Sequence, residues 1–297
     1  MLRTDCRIAL GLYRSGHDRR LLEGALERGV HELDTSSNYR AFGSHRKLAA
    51  EAGDLLAEFT ISTKVGYLPG LGAPSTHTLS GRLLRLAVER AVDELGVAPA
   101  VVLLHNPEAS LEQLPLDEAA GELVEACQAL RSSQTAGLCQ GWGIASWRPA
   151  SLEAAVETAG PSLPRPDVLM LRCGLLAGTR VLHSAERLFD QLNLPATGRW
   201  GMSPFGGSTT TETWRQIDSR LFLTGNDPAT PLQAAFRVAA ELPAVSRIAV
   251  GTGQLHHLEQ LISAADLVVD PAKVAAYRAL LAASAGIDAP LSKIGTV

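Results

Sequence analysis

The chain has 297 residues, 46% of them apolar and 20% charged, with a formal net charge of −4 and a mean hydropathy of +0.08. That supplies a large core, and the weakly acidic balance gives no basic field for nucleic acid or a membrane surface. No apolar run approaches the roughly 18 residues that a spanning helix needs. The short apolar stretch after Asp5 and Arg7 fits a strand rather than a signal peptide, so a cytoplasmic protein is expected. Cys6, Cys127, Cys139 and Cys173 have neither CxxC nor metal spacing, which favours reduced, buried thiols over disulfides or zinc ligands. No metal site is expected.

Short apolar runs alternate with longer helical patterns along the whole chain. Residues 7–13 read as a strand and 18–29 as a helix stopped by Gly29. HELDT (31–35) is a second strand, followed by a short helix over 44–53 with Ser44 as its N-cap. The third strand is 59–66; a Gly/Pro loop leads to a helix over 79–96. AVVLLH (100–105) precedes an acidic helix from about Asp117 to Ser132. Strands over 139–146, 166–173, 198–205 and 246–252 follow. Their helices span 149–160, 181–193, 227–242 and 255–265, and a last helix covers 271–285. The strands are continuously apolar, as in a parallel sheet covered on both faces. Eight strand–helix units predict an α/β fold, a (β/α)8 TIM barrel, as one domain over residues 1–297. No GxGxxG follows the first strand, which disfavours a Rossmann domain.

In such barrels chemistry sits at the C-terminal strand ends. Asp34 ends the second strand and Tyr39 follows it by five residues; Lys64 and His105 close the third and fourth. Only four basic residues are lysines against 23 arginines, which makes Lys64 conspicuous. An Asp34–Lys64 ion pair would keep a buried ammonium charged. That charge beside Tyr39 is expected to lower the phenol from about 10 toward neutrality, where it can act as general acid or base. His105 is the right type to hydrogen-bond and orient a substrate carbonyl oxygen. Taken singly, each has a plainer account: Asp34 capping a turn, Tyr39 packing at a rim, Lys64 snorkelling, His105 a satisfied loop histidine. None of the four stores electrons, so redox chemistry would need a cofactor. Arg172, ending the sixth strand, is apt for a carboxylate or phosphate on substrate or cofactor, or pairs with Asp34 or Glu108.

These motifs carry a resemblance that spans essentially the full chain. ELDTSSNY, ISTKVG and LLHNPE resemble the strand-two, strand-three and strand-four motifs of the aldo-keto reductase superfamily. ELGV, GWGIASW, MSPFGG and VGTGQLHHLEQ fall where that family has similar segments. The resemblance implies a catalytic tetrad of Asp34, Tyr39, Lys64 and His105. It also implies hydride transfer from a nicotinamide cofactor, usually NADP(H) and sometimes NAD(H), to a carbonyl, with Tyr39 as proton donor. The cofactor-binding positions it implies are Ser146, Met170, Met202, Ser203, Pro204, Phe205, Gly206, Gly251 and Thr252.

Several of those positions depart from the family pattern. Ala145 and Ser146 stand where the family has Ser-Asn, Met170 where it has glutamine, and Met202 where an aromatic residue often stacks. Gly253 stands in place of an arginine, Leu261 in place of an asparagine, and His45 where the pattern has glutamate. Ala, Met and Leu cannot hydrogen-bond an amide. Backbone N–H groups of the Gly-rich MSPFGG turn and the eighth helix could still cradle phosphates, or that turn is an ordinary loop. His256 and His257 could touch a phosphate but read better as a solvated first turn. Tyr13, Tyr67, Trp147, Arg172 and Trp214 are the candidate walls of a small-molecule pocket, left open by a short tail after Ala285.

Three functions remain after this reading. The first is an NAD(P)H-dependent carbonyl reductase, a monomer or weak oligomer. The second is a cofactor-independent lyase or isomerase using Tyr39, Lys64 and His105 for proton transfer alone. The third, a non-catalytic binding module, has no use for the four groups together.

Overall fold

The computed structural model describes residues 7–70, 74–225 and 228–285. Cys6 and the tail after Ala285 lie outside them. The predicted strands are β1 (Arg7–Gly11), β2 (Glu32–Asp34), β3 (Thr60–Val65) and β4 (Val101–His105), then β5 (Gly141–Ser146), β6 (Val168–Arg172), β7 (Arg199–Met202) and β8 (Arg247–Gly251). All pairings are parallel, and the sheet closes in the order β1-β8-β7-β6-β5-β4-β3-β2. Parallel neighbours need a crossover, and helices supply it: α1 (Arg19–Glu27), α2 (Ser44–Ala52), α3 (Gly81–Leu95), α4 (Leu116–Thr135), α5 (Pro149–Ala159), α6 (Thr179–Gln191), α7 (Pro231–Ala239) and α8 (Leu255–Ala264). A ninth helix, α9 (Pro271–Ala285), follows. The fold is the expected (β/α)8 barrel.

Local chemistry sets the boundaries. Asp18 caps α1 by accepting from Arg20 N at 2.7 Å, and Gly29 at φ +74° ends the turn after it. Thr230 and Gln233 form a reciprocal capping box on α7, with Pro231 as its first residue. The predicted seventh strand runs three residues too far, because Ser203 turns to φ +55° directly after Met202. The Gly/Pro loop after β3 contains a small antiparallel pair, Tyr67–Leu68 with Thr76–His77, too short to show any period in sequence.

Packing closes one end of the barrel and leaves the other for chemistry. Ala9, Leu103, Ala145, Val168, Met170, Trp200 and Ala249 form the core cluster drawn from the barrel strands. A Cβ at Gly143 would lie 2.1 Å from Val168 O, so β5 and β6 approach closely only because that side chain is missing. Toward the N-terminal strand ends, Glu32 and Arg247 pair, and the guanidinium sits 4.2 Å from the Trp200 ring. Outside, α1 seats Leu21, Leu22 and Ala25 in one cluster with Leu10, Leu33 and Ile248; each fully buried leucine contributes about 1.5–3 kcal/mol. Across the sheet, Asp34 lies beside Gly11 and Ser62, Lys64 beside Leu103, His105 beside Ala145, and Arg172 beside Met202. These pairings put the candidate residues on one rim. Among the described residues no helix is long and apolar enough to cross a membrane.

Candidate active site

Lys64 is 1% exposed, and its Nζ lies 2.7 and 2.5 Å from the two oxygens of Asp34. It also donates to Thr35 O at 3.0 Å and to Tyr39 Oη at 3.4 Å. Ser62 donates to Asp34 Oδ1 at 3.0 Å, a second donor on an oxygen that Lys64 also contacts. Burial pulls the Lys64 ammonium down, but Asp34 and Tyr39 together outweigh it and raise its pKa above the ordinary lysine value.

The sequence expectation for Tyr39 is reversed. Burial raises its pKa above the ordinary phenol value, although Lys64 pulls the other way. Burial is the larger influence, and the Lys64 ammonium that opposes it is itself held by Asp34 at 2.5 and 2.7 Å. Tyr39 is therefore held as a neutral phenol. It is aimed by an unusual turn in which Arg40, Ala41 and Phe42 all take positive φ, +51°, +51° and +64°. Left-handed backbone costs a residue with a Cβ about 1–2 kcal/mol. Tyr13, exposed, packs its ring 5.1 Å from Tyr39, and the His105 ring meets it edge-on at 6.1 Å.

His105 is 9% exposed, and burial, Lys64 and His77 hold its pKa well below the ordinary histidine value. It is a neutral imidazole. Its Nδ1 lies 3.0 Å from Ser36 Oγ. The short antiparallel pair braces it: His77 Nε2 donates to His105 O at 2.9 Å, and the Tyr67 ring stands edge-on at 5.2 Å. The sequence offered Tyr67 as a pocket wall but gave no sign of Ser36 or His77.

Arg172 and Trp147 meet at the mouth, the guanidinium 4.8 Å from the indole ring. Arg172 pairs with neither Asp34 nor Glu108; its hydrogen bond is a long one, 3.4 Å, to Leu176 O. Burial lowers its pKa. Glu108 is 2% exposed and serves as a clamp, accepting from Ser146 Oγ at 2.9 Å, Trp147 N at 2.7 Å and Arg148 N at 2.9 Å. Trp214 is displaced from its expected place: it is buried under the loop after β7, donating to Phe205 O at 3.1 Å with Phe205 edge-on at 5.7 Å. Met170 is 0% exposed inside the barrel core, whereas the position-by-position expectation has it facing a cofactor. His45 is buried against Thr63 Oγ1 at 2.8 Å, while His256 and His257 are exposed on the first turn of α8. Cys127, Cys139 and Cys173 are all buried. Among the described residues no cluster of His, Cys, Asp and Glu could hold a metal ion.

A sequence profile described as the aldo/keto reductase family matches residues 8–190, from the second residue of β1 past the end of β6 and with all four convergent side chains. The chain belongs to the aldo/keto reductase family. The fold agrees across the family's solved structures. An aldo-keto reductase from Bacillus halodurans in its holo form is 16% identical, with 93% of this chain and 91% of that one covered and a TM-score of 0.71. A thermostable aldo-keto reductase in complex with the inhibitor epalrestat is 17% identical, covering 92% and 94%, with a TM-score of 0.67. An aldo/keto reductase from Brucella melitensis is 15% identical, covering 92% of each chain, with a TM-score of 0.63. No curated protein sequence matches the chain.

Aldo/keto reductases use nicotinamide cofactors in general, and the two halves of the rim differ in how well they suit one. At β7 and β8 the fit is good. Among the described residues, Ser203 Oγ is buried without a partner and a Cβ at Gly253 would meet nothing within 4 Å; Gly206 and Gly207 take φ of +68° and +106°. Thr252 Oγ1 organises the entry to α8 by accepting from Gln254 N at 3.1 Å. Pro204 is buried, and Phe205 packs against Trp214 and Phe236, so these two anchor the loop. At β5 and β6 the fit is poor. Ala145 and Met170 are fully buried, and the Ser146 hydroxyl spends its proton on Glu108.

Proposed function

We infer that the chain is an NAD(P)H-dependent reductase of aldehyde or ketone groups on small organic molecules. The observation that carries this reading is the Asp34–Lys64–Tyr39 chain of contacts at 2.5, 2.7 and 3.4 Å, with the neutral His105 ring beside the phenol. A reduced nicotinamide, when bound, supplies the hydride. Ser203, Gly206, Gly207, Gly251 and Thr252, with the N-terminus of α8, would hold the dinucleotide's phosphates through backbone N–H groups and hydroxyls. Half-buried Met202 would lie against the ring, and Ser146 Oγ keeps lone pairs to accept from the amide nitrogen.

The protein's own part is proton transfer. Tyr39 Oη donates its proton to the carbonyl oxygen as negative charge develops there. Lys64 Nζ stabilises the phenolate left behind, and Asp34 keeps Lys64 charged and fixed in the low-dielectric rim. Tyr13, Tyr67 and Trp147 would wall the substrate pocket, with Arg172 offering its guanidinium to an anionic group. The test is titration of the purified protein with NADPH and NADH, followed by cofactor fluorescence or heat. Saturable binding in the micromolar range is the expected result; no binding up to millimolar concentrations overturns the reading.

A second reading is favoured by the poor fit at β5 and β6. With Ala145 and Met170 buried and the Ser146 proton committed to Glu108, the side-chain grip on a carboxamide is missing. Tyr39, Lys64 and His105 alone suffice for a dehydration, isomerisation or cyclisation, which move protons and need no electron carrier. The same titration, with no binding, would select it.

A further inference from the structure

His17 lies in the loop between β1 and α1 and takes no part in the proton transfer. It is buried between exposed Gly16 and exposed Asp18, and it takes φ +56°. Its Nδ1 stands 3.2 Å from Ser15 O, and its Nε2 stands 2.6 Å from Ser44 Oγ at the start of α2. A carbonyl oxygen can only accept, so the ring proton sits on Nδ1 and Nε2 is bare. Ser44 gives its proton to that lone pair. Thr35 Oγ1, 2.7 Å from Ser44 Oγ, gives its own to Ser44. One directed chain thus runs from the turn after β2, through α2 and the buried ring, to the loop after β1. Both ends of it support the catalytic rim. Ser15 O also accepts from Arg40, the residue after Tyr39, at 3.3 Å, and Thr35 O accepts from Lys64 Nζ at 3.0 Å. We propose that His17 is an acid-sensitive latch: neutral, it ties the loop after β1 to the turn that carries Tyr39, and a second proton on its ring releases that turn.

A new N–H at Nε2 would face the Ser44 proton, so Ser44 and then Thr35 would have to reverse. The charge would also be uncompensated. The charged groups that face the ring are Arg40 from the turn and Lys47 from α2, both cations, and Lys47 is already paired with Glu51. Asp18, next in the chain, is committed to capping α1. Among the described residues no carboxylate pairs with His17, and an unpaired buried charge is unfavourable. Burial holds its pKa below the ordinary histidine value; the bond to Ser15 O opposes this, and Arg40 and Lys47 add to it. The other titratable group nearby is His45 on α2. Burial pushes it down to about 4 against the pull of Glu94, 3.9 Å away, which Arg46 and Arg90 also hold. An unfolded chain binds the His17 proton at about 6.5, and the folded chain binds it only at a lower pH. The latch therefore contributes fully above about 6.5 and is lost as pH falls toward the lowered folded value.

The test is an NMR titration of the whole chain from about pH 7.5 to about 4, a range that brackets the ordinary histidine value. The His17 Cε1 signal, assigned by its loss in His17→Gln, reports the ring charge. The amides of Tyr39, Gly43 and Lys47, hydrogen-bonded to Ser36 O, Arg40 O and Gly43 O, report the turn and the start of α2. One shared midpoint below the ordinary histidine value, reversible on return to neutral pH, is the expected result. In His17→Gln, whose amide oxygen still accepts from Ser44, those amides should no longer titrate; in His45→Gln they still should. His17 taking up its proton while the three amides stay still overturns the proposal, with no variant needed. An amide transition that survives in His17→Gln overturns it too, as does a single loss of all amide dispersion, which is global unfolding. The consequence for turnover rests on the reductase reading; the latch does not. With NADPH and benzaldehyde, the acid limb of kcat should share the amide midpoint and move to lower pH in His17→Gln. An unmoved limb overturns control of the site by His17. No turnover at any pH counts against the reductase reading, and the amides then decide the latch.

Discussion

Asp34 and Lys64 face each other across β2 and β3 at 2.5 and 2.7 Å, and neither side chain has more than 6% of its surface exposed. Breaking such a buried pair from one side leaves an uncompensated charge, which costs about 3–5 kcal/mol. Lys64→Met should therefore destabilise by that amount in urea unfolding. Asp34→Asn with Lys64→Met should lose less than the two single changes added together. Purely additive effects would show that the pair is not coupled. The sign of the pH dependence follows from the raised Lys64 pKa. The pair's contribution is complete below the unfolded lysine value of about 10.4 and is lost as pH rises through the higher folded value. The gap in Tm between wild type and Lys64→Met should hold at neutral pH and narrow only in strong alkali.

Tyr39 keeps its proton because burial outweighs Lys64, and His105 stays neutral because burial and two nearby cationic or ionisable groups hold its pKa far down. The alkaline limb of the reduction should then lie above the ordinary phenol value and the acid limb below the ordinary imidazole value. The profile of kcat/KM should be flat from about pH 6.5 to 10. An inflection near 7 would show that Lys64 does depress the phenol. Tyr39→Phe should lower kcat by about 10²–10⁴, the usual worth of a positioned general acid. Its Tm should barely move, since the ring contacts survive and one long hydrogen bond of 3.4 Å is lost.

Much of this was legible in the sequence because barrel strands are continuous apolar runs and because each key side chain sits where such a run ends. Asp34, Lys64 and His105 needed only that rule. The pKa of Tyr39 was not legible, since it depends first on how deeply the phenol is buried, which its place after a strand does not state. Ser36 was hidden inside a polar turn, TSSN, in which nothing distinguishes the serine that points at a histidine 69 residues later. His77 lay in a Gly/Pro loop whose two-residue strands have no period. Trp214 was offered as a pocket wall because it lies in the long loop after the seventh strand, and a place in a loop does not say which way a ring is buried.

The turn that aims Tyr39 stores strain. Ala41 sits at φ +51° between two other residues at positive φ. Glycine relieves that conformation but gains freedom in the unfolded chain, so Ala41→Gly should change stability by no more than about 1 kcal/mol, with a gain if the strain is the larger effect. If the strain is what holds the phenol over Lys64, the same variant should lose several-fold in kcat while retaining KM. An unchanged kcat would show that the Tyr13 and Lys64 contacts position the ring without help from the backbone.

Arg172 presents a different kind of test, because its guanidinium is half withdrawn from water and, among the described residues, pairs with no carboxylate. Desolvating a cation is unfavourable, and stacking on Trp147 at 4.8 Å offsets only part of that. An anion carried in by the substrate would complete the arrangement, and a charged hydrogen bond of that kind contributes about 1.5–3 kcal/mol. Arg172→Met should then raise KM for 4-carboxybenzaldehyde by about 10- to 100-fold and leave benzaldehyde within about twofold. Arg172→Lys should recover only part of the loss, since an ammonium cannot grip a carboxylate through two parallel N–H groups. A parallel rise in KM for both aldehydes would assign Arg172 to packing against Trp147. A rise in the NADPH dissociation constant with unchanged aldehyde KM would place its anion on the cofactor.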